Sequence, residues 1–178
     1  MKLPSLNIIK AINLAANLHR HHERQDDNMT PYISHLVAVA MYIQSVTDDE
    51  STIIAGLMHD ALEDVPDYEY ENLVTDCGKA VADLVLTVTE NKSLPYKERK
   101  LDYIDRVRHA GPATLAISLA DKIHNAHSYA SMPEEKKHSG HSWLYKEILS
   151  IAEDKIKQEE YKFLIPLVQE CATAVSII

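Results

Sequence analysis

Ile53-Ile54-Ala55-Gly56-Leu57-Met58-His59-Asp60-Ala61-Leu62-Glu63-Asp64 is the stretch whose reading decides the fold. Its apolar residues Ile53, Ile54, Leu57 and Met58 recur at the spacing of one helix face, so it reads as a helix laid on a core. Asp48 or Asp49 stands where an N-cap is expected, and Pro66 stops the helix shortly after Glu63. His59 and Asp60 therefore fall in its last turns. The same periodicity runs through nearly the whole chain, no segment alternates apolar and polar residues for long, and only 4 glycines interrupt it. The spacing predicts an all-α helical bundle.

Outward from that stretch, helix one is expected over about Ser5 to His21, with Ile8, Ile9, Ile12, Ala15, Ala16 and Leu18 inward. A polar loop, Glu23 to Thr30, leads to helix two over about Tyr32 to Ser45. Beyond Pro66, Asp67 could cap a short helix from about Tyr68 to Asp76, and Gly78 separates it from one across Val81, Leu84, Val85 and Val88. Thr89 to Pro95 reads as a loop, and a charged helix follows over about Tyr96 to Ala110. Gly111-Pro112 then resets the chain for a strongly apolar helix, about Ala113 to His127, which carries Asp121. After a polar segment from Met132 to His141, helices over about Ser142 to Lys157 and Glu159 to Val175 close the bundle.

The chain has 178 residues, 46% of them apolar, with 27 acidic against 18 basic side chains. That composition suits one acidic domain over residues 1–178, able to bury roughly 70% of its unfolded surface without a disulfide. A formal charge of -9 repels phosphate backbones, so nucleic acid is not an expected partner. Asn7, Lys10, Asn13 and Asn17 break the N-terminal apolar stretch before it reaches membrane length. Two cysteines outside any CxxC spacing, Cys77 and Cys171, fit a reduced, cytoplasmic setting. Oligomeric state is not written in such features.

His59-Asp60-Ala61-Leu62-Glu63-Asp64 holds four ionisable side chains in six positions. On a continuous helix His59 and Glu63 would share a face, as would Asp60 and Asp64. Three carboxylates crowded at one helix end repel each other unless positive charge sits among them. A divalent cation of the manganese, iron or zinc kind suits imidazole and carboxylate together, and the lack of thiolates argues against a structural zinc site. Two adjacent ligands cannot fill a coordination shell, so His35 and Asp121 are the candidates to complete it. Taken singly, His35 also fits a hydrogen-bonded packing histidine. An Asp121 buried in an apolar helix needs a cation or donors beside it. His19, His21, His22, His109, His124, His138 and His141 match no further ligand spacing.

These residues resemble the HD superfamily of metal-dependent phosphohydrolases, and within it the hydrolase half of RelA/SpoT proteins, above all the stand-alone small alarmone hydrolases. The motifs are Thr30-Pro31-Tyr32-Ile33-Ser34-His35, His59 to Asp64 and Leu119-Ala120-Asp121-Lys122-Ile123-His124-Asn125, supported by Thr89 to Pro95 and Glu98-Arg99-Lys100. The resemblance implies an HD-domain helical fold, one bound Mn2+ and removal of pyrophosphate from the 3′ position of ppGpp or pppGpp, the alarmones of the stringent response. It implies His35, His59, Asp60 and Asp121 as metal ligands and Glu63 and Asp64 as the acidic pair acting on the attacking water. Arg24, Asn125 and Ser128 fall where substrate contacts are expected. Glu63 could instead hold His59 by accepting its other ring proton. This chain departs from the pattern at Leu36, Gln25, Ser118 and His127, where proline, lysine, lysine and arginine are frequent.

A substrate with several phosphates needs counter-charge, for which Lys92, Lys97, Arg99 and Lys122 are candidates, and Tyr32 and Tyr145 could wall the base. Two other functions remain open: an HD-type phosphatase acting on NADPH or a nucleoside monophosphate, and a catalytically silent nucleotide-binding module.

Overall fold

The computed structural model describes residues 3–25, 29–130, 132 and 142–178. Those residues form α1 (Leu6–Leu18), α2 (Ile33–Gln44), α3 (Glu50–Met58), α4 (Ala61–Asp64), α5 (Tyr70–Cys77) and α6 (Lys79–Val88). They continue with α7 (Tyr96–His109), α8 (Pro112–Ala130), α9 (Ser142–Lys155), a 3₁₀ turn (Glu159–Leu164) and α10 (Ile165–Val175). The expected all-α bundle is what forms, and among the described residues the nearest thing to a sheet is an isolated bridge between Glu23 and Pro31.

The helix starts follow local chemistry. The Asp49 carboxylate accepts the Thr52 N–H at 2.9 Å and so caps α3. Glu69 and Asn72 cap α5 reciprocally, which moves that helix past the expected start at Tyr68 and leaves Asp67 outside it at φ 60°. Gly78 joins α5 to α6 at φ 88°, a conformation open to glycine without a side-chain clash. At the far end, the helix expected over Glu159 to Val175 opens as the 3₁₀ turn, and α10 starts after it with a proline in its first turn.

One core runs from Ile8 to Val175. α1 contributes Ile8, Ala11 and Ala15 to it, while Ile9 is 44% exposed, because the buried face centres on the row 8, 11, 15 and Ile9 lies about 100° round the helix. α3 is buried from Thr52 to Met58. α2 packs on α3 and α8, α6 packs on α3, and α10 packs on α8. Gly56 permits the close approach of α3 to α2, since a Cβ there would run into the Ile43 side chain. That approach brings the ends of three core elements to one cleft.

Candidate metal and catalytic site

α2 begins just before His35, α8 carries Asp121 at mid-length, and α3 ends at Met58. The expected single helix through Glu63 does not form. It unwinds at His59 and Asp60, where Asp60 takes φ -95° and ψ -2°, and one further turn, α4, follows. His59 Nδ1 lies 2.8 Å from the Gly56 carbonyl, and since a carbonyl only accepts, the ring donates there. The unwinding turns His59 and Asp60 inward together instead of stacking them along a helix side.

The four proposed ligands converge. His59 Nε2 lies 3.1 Å from Asp60 Oδ2 and 3.8 Å from Asp121 Oδ1. His35 Nε2 lies 3.3 Å from Asp121 Oδ1 and 3.6 Å from Asp60 Oδ2. His35, His59 and Asp121 each offer a ligand atom within 4.8 Å of the others, with Asp60 alongside. His59 Nε2 is fully buried yet has no aligned hydrogen-bond partner, despite its short approach to Asp60. Its Nδ1 is committed to Gly56, so Nε2 is the ring atom left to face the carboxylate oxygens. A cation can replace a proton between a ring nitrogen and carboxylates at such distances, and this donor set fits a divalent ion.

The electrostatics agree. Burial lowers the His59 pKa, but Asp60 and Asp121 outweigh it and hold the group well above its usual value. Burial lowers His35, and Asp121 only partly offsets that. Burial raises both carboxylates, yet His59 and His35 hold Asp60 down, and Lys122 with the two imidazoles holds Asp121 down. The site thus calls for positive charge at its centre. Around it, the Tyr32 hydroxyl donates to Asp60 Oδ2 at 2.7 Å. Asn125 donates its amide to Asp121 Oδ1 and accepts from Arg24 Nη2 at 2.8 Å. His35 Nδ1 meets His124 Nδ1 at 2.9 Å, and burial, His35 and Arg24 push His124 down to about 4.

Comparison with known proteins matches this geometry to a family. The HD domain matches residues 11–151. The chain belongs to the HD-domain family. Guanosine-3′,5′-bis(diphosphate) 3′-pyrophosphohydrolase MESH1 of Danio rerio is 36% identical over 121 residues, 66% of this chain and 66% of that protein. MESH1 of Drosophila melanogaster is 34% identical over 124 residues, 68% and 69% of the two chains. A solved structure of a metazoan orthologue of SpoT, described as hydrolysing ppGpp, superposes with a TM-score of 0.80 at 25% identity over 100% of both chains.

In this HD domain, Glu63 does not receive a proton from His59, whose Nδ1 is held by Gly56. Glu63 Oε1 instead accepts the Glu90 N–H at 2.7 Å. Burial, reinforced by Asp60 and Glu90, pushes Glu63 up to about 7 against that hydrogen bond. Asp64 is more exposed and pairs with Lys92 Nζ at 2.9 Å. The two neighbouring acids therefore differ: one is half-buried and leans toward its neutral form, the other stands in solvent beside an ammonium.

The HD cleft has a volume of about 440 Å³ and opens over Asp60, Asp64 and Asp121. Arg24, Asn125 and Ser128 line it, with Tyr32 and Tyr145. Glu63 lines instead a hollow of about 70 Å³ beneath, with His59 and Ser118. Lys97 lines neither: it sits on the exposed flank of α7, while Lys100 reaches the cleft. Lys100 pairs there with Glu90, which lines the same cleft. Of the other cations, Lys122 lines the cleft and pairs with Asp121, whereas Lys92 and Arg99 bond to Asp64 and Glu90 at its edge. Ser118, where lysine is frequent, accepts from the buried Tyr103 hydroxyl at 2.9 Å. His127, where arginine is frequent, pairs with Glu170 on α10 at 2.9 Å and does not line the cleft. His124, which matches no ligand spacing, reaches the site through its contact with the His35 ring. His138 and His141 lie outside the described residues.

Proposed function

We propose that this chain is a metal-dependent pyrophosphohydrolase that removes pyrophosphate from the 3′ position of guanosine 3′,5′-bis(diphosphate) or its pentaphosphate form. The observation that carries the reading is the buried His59 Nε2, without a hydrogen-bond partner and facing two aspartates, beside a cleft of about 440 Å³ lined by Asp60, Asp64 and Asp121. The MESH1 relatives, named for that reaction, support it.

His35, His59, Asp60 and Asp121 would hold the ion, Mn2+ being the one that the resemblance to RelA/SpoT hydrolases implies and one that a mixed imidazole and carboxylate set accepts. Such an ion lowers the pKa of bound water and polarises a phosphoryl oxygen. Asp64, exposed to the cleft and paired with Lys92, takes the proton of the attacking water, releasing Lys92 toward the departing phosphates. Glu63, pushed up to about 7 in the hollow it shares with His59, Asp60 and Asp121, can hold or release a proton near neutral pH beside the metal end of the site. Asn125 orients Asp121 and Arg24 together, so the nucleotide end of the cleft and the metal end are mechanically linked. Tyr145 and Tyr129 offer flat apolar faces for the base, and Arg24, Asn125 and Ser128 offer polar contacts to ribose and phosphate. No helix among the described residues is long and apolar enough to cross a membrane, in keeping with a soluble nucleotide as substrate and a cytoplasmic site of action.

The test is product analysis. Purified protein given Mn2+ and a panel of nucleotides should release pyrophosphate from guanosine 3′,5′-bis(diphosphate). Orthophosphate from NADPH or a nucleoside monophosphate alone, or binding without turnover, would overturn the assignment.

A further inference from the structure

His35 is held from both sides of its ring by one helix. Asp121 and His124 are three residues apart on α8 and share a face, and His35 lies against it at 1% exposure. On one side Asp121 Oδ1 stands 3.3 Å from Nε2; on the other His124 Nδ1 stands 2.9 Å from Nδ1, with the rings 4.8 Å apart and inclined at 55°. A contact between two ring nitrogens contains one proton, so the pair has two arrangements. If His124 donates, the His35 proton sits on Nε2, aimed at Asp121, and the ligand lone pair is lost. If His35 donates, Nε2 presents its lone pair to the cleft.

We propose that His124 is a positioning residue for His35: it accepts the Nδ1 proton, fixes the Nε2 lone pair toward Asp60 and Asp121, and so strengthens cation binding. The inference rests on the metal-dependent reading above. Histidine ligands generally have the far nitrogen tied to an acceptor, and loss of that partner weakens the metal by about 10- to 100-fold. His59 has such a partner in the Gly56 carbonyl, a backbone acceptor that no side-chain substitution at 56 removes. His35 depends on a side chain. The Ser128 hydroxyl, 3.5 Å from the same His124 nitrogen, is the other polar atom recorded beside it.

Calorimetric titration with Mn2+ of the wild type, His124→Leu and His124→Asn tests the assignment. The asparagine amide oxygen can stand close to the Nδ1 position, whereas leucine fills space without an acceptor. The expected result is a Kd weakened about 10-fold or more in His124→Leu and largely restored in His124→Asn. In the zinc-loaded protein, ¹⁵N–¹H correlation should place the His35 proton on Nδ1 in the wild type and the asparagine variant. Equal manganese affinity in all three proteins, or equal weakening in both variants, overturns the inference alone. A wild type that binds no manganese overturns the functional reading and this inference with it.

Discussion

Among the described residues, the HD cleft of about 440 Å³ and a hollow of about 420 Å³ between α1, α3, α5 and α6 are of similar size, and they differ in what their polar groups lack. The second is lined by Asn7, Lys10, Glu50, Asp76 and Cys77, whose polar ends are at the surface or already matched. Asn7 donates to Glu50 at 2.8 Å, and Asp76 accepts from the Tyr68 hydroxyl at 2.9 Å. Burial pushes the Cys77 thiol up to about 11, which leaves it protonated and inert at neutral pH. In the HD cleft, by contrast, the buried His59 Nε2 faces Asp60 and Asp121 without a hydrogen-bond partner. Volume alone does not make a site; uncompensated polarity held in place by a core does.

Substitutions on the two sides should separate sharply. The largest effect is expected for Asp121→Ala, which removes a ligand itself. Pyrophosphate release should fall by more than the roughly 100-fold typical of losing a ligand's hydrogen-bonding partner, with helix content by circular dichroism retained. Full turnover would place the chemistry elsewhere. Asp64→Asn should cost about 100- to 10,000-fold in kcat while Mn2+ still binds by calorimetry, because only the proton acceptor is gone.

Smaller effects sharpen the contrast in stability. Gly56→Ala should destabilise the fold by about 1–3 kcal/mol in denaturant unfolding, as the added methyl meets the buried Ile43 side chain. Glu63 titrates near 7 in the folded protein against an ordinary value of 4.5. Its folded pKa is raised, so its contribution is most favourable below 4.5 and is lost as pH rises through 7. Metal-free Glu63→Gln should therefore match the wild type near pH 4 and gain on it by pH 8; parallel pH curves would contradict the burial of that carboxyl. The smallest effect belongs to the other hollow. Lys10→Ala and Asp76→Ala should leave turnover within twofold, and a large loss there would erase the distinction between the two.

Much of this was legible in the chain. Apolar periodicity gives the helices, and the clustering of His59, Asp60, Glu63 and Asp64 marks the site because so many charges end an apolar helix. What periodicity misses is where helices stop being helical. Asp60 leaves the α-helix in the bridge region, and that local break turns the pair inward. Long-range hydrogen bonds are equally silent: Arg24 meets Asn125 across 101 positions, and Glu63 meets the Glu90 backbone across 27. Lys97 and Lys100 look alike in sequence and lie three positions apart on α7, and the long-range pairing of Lys100 with Glu90, which lines the cleft, separates it from the exposed Lys97.

The central claim is that four side chains from three regions form one cation site. Equilibrium dialysis of the purified protein against Mn2+, with metal counted per chain, tests it most directly. One equivalent bound by the wild type and none by a His59→Ala, Asp121→Ala double variant is the expected result. No specific binding by the wild type, or an equivalent retained by the double variant, would contradict it.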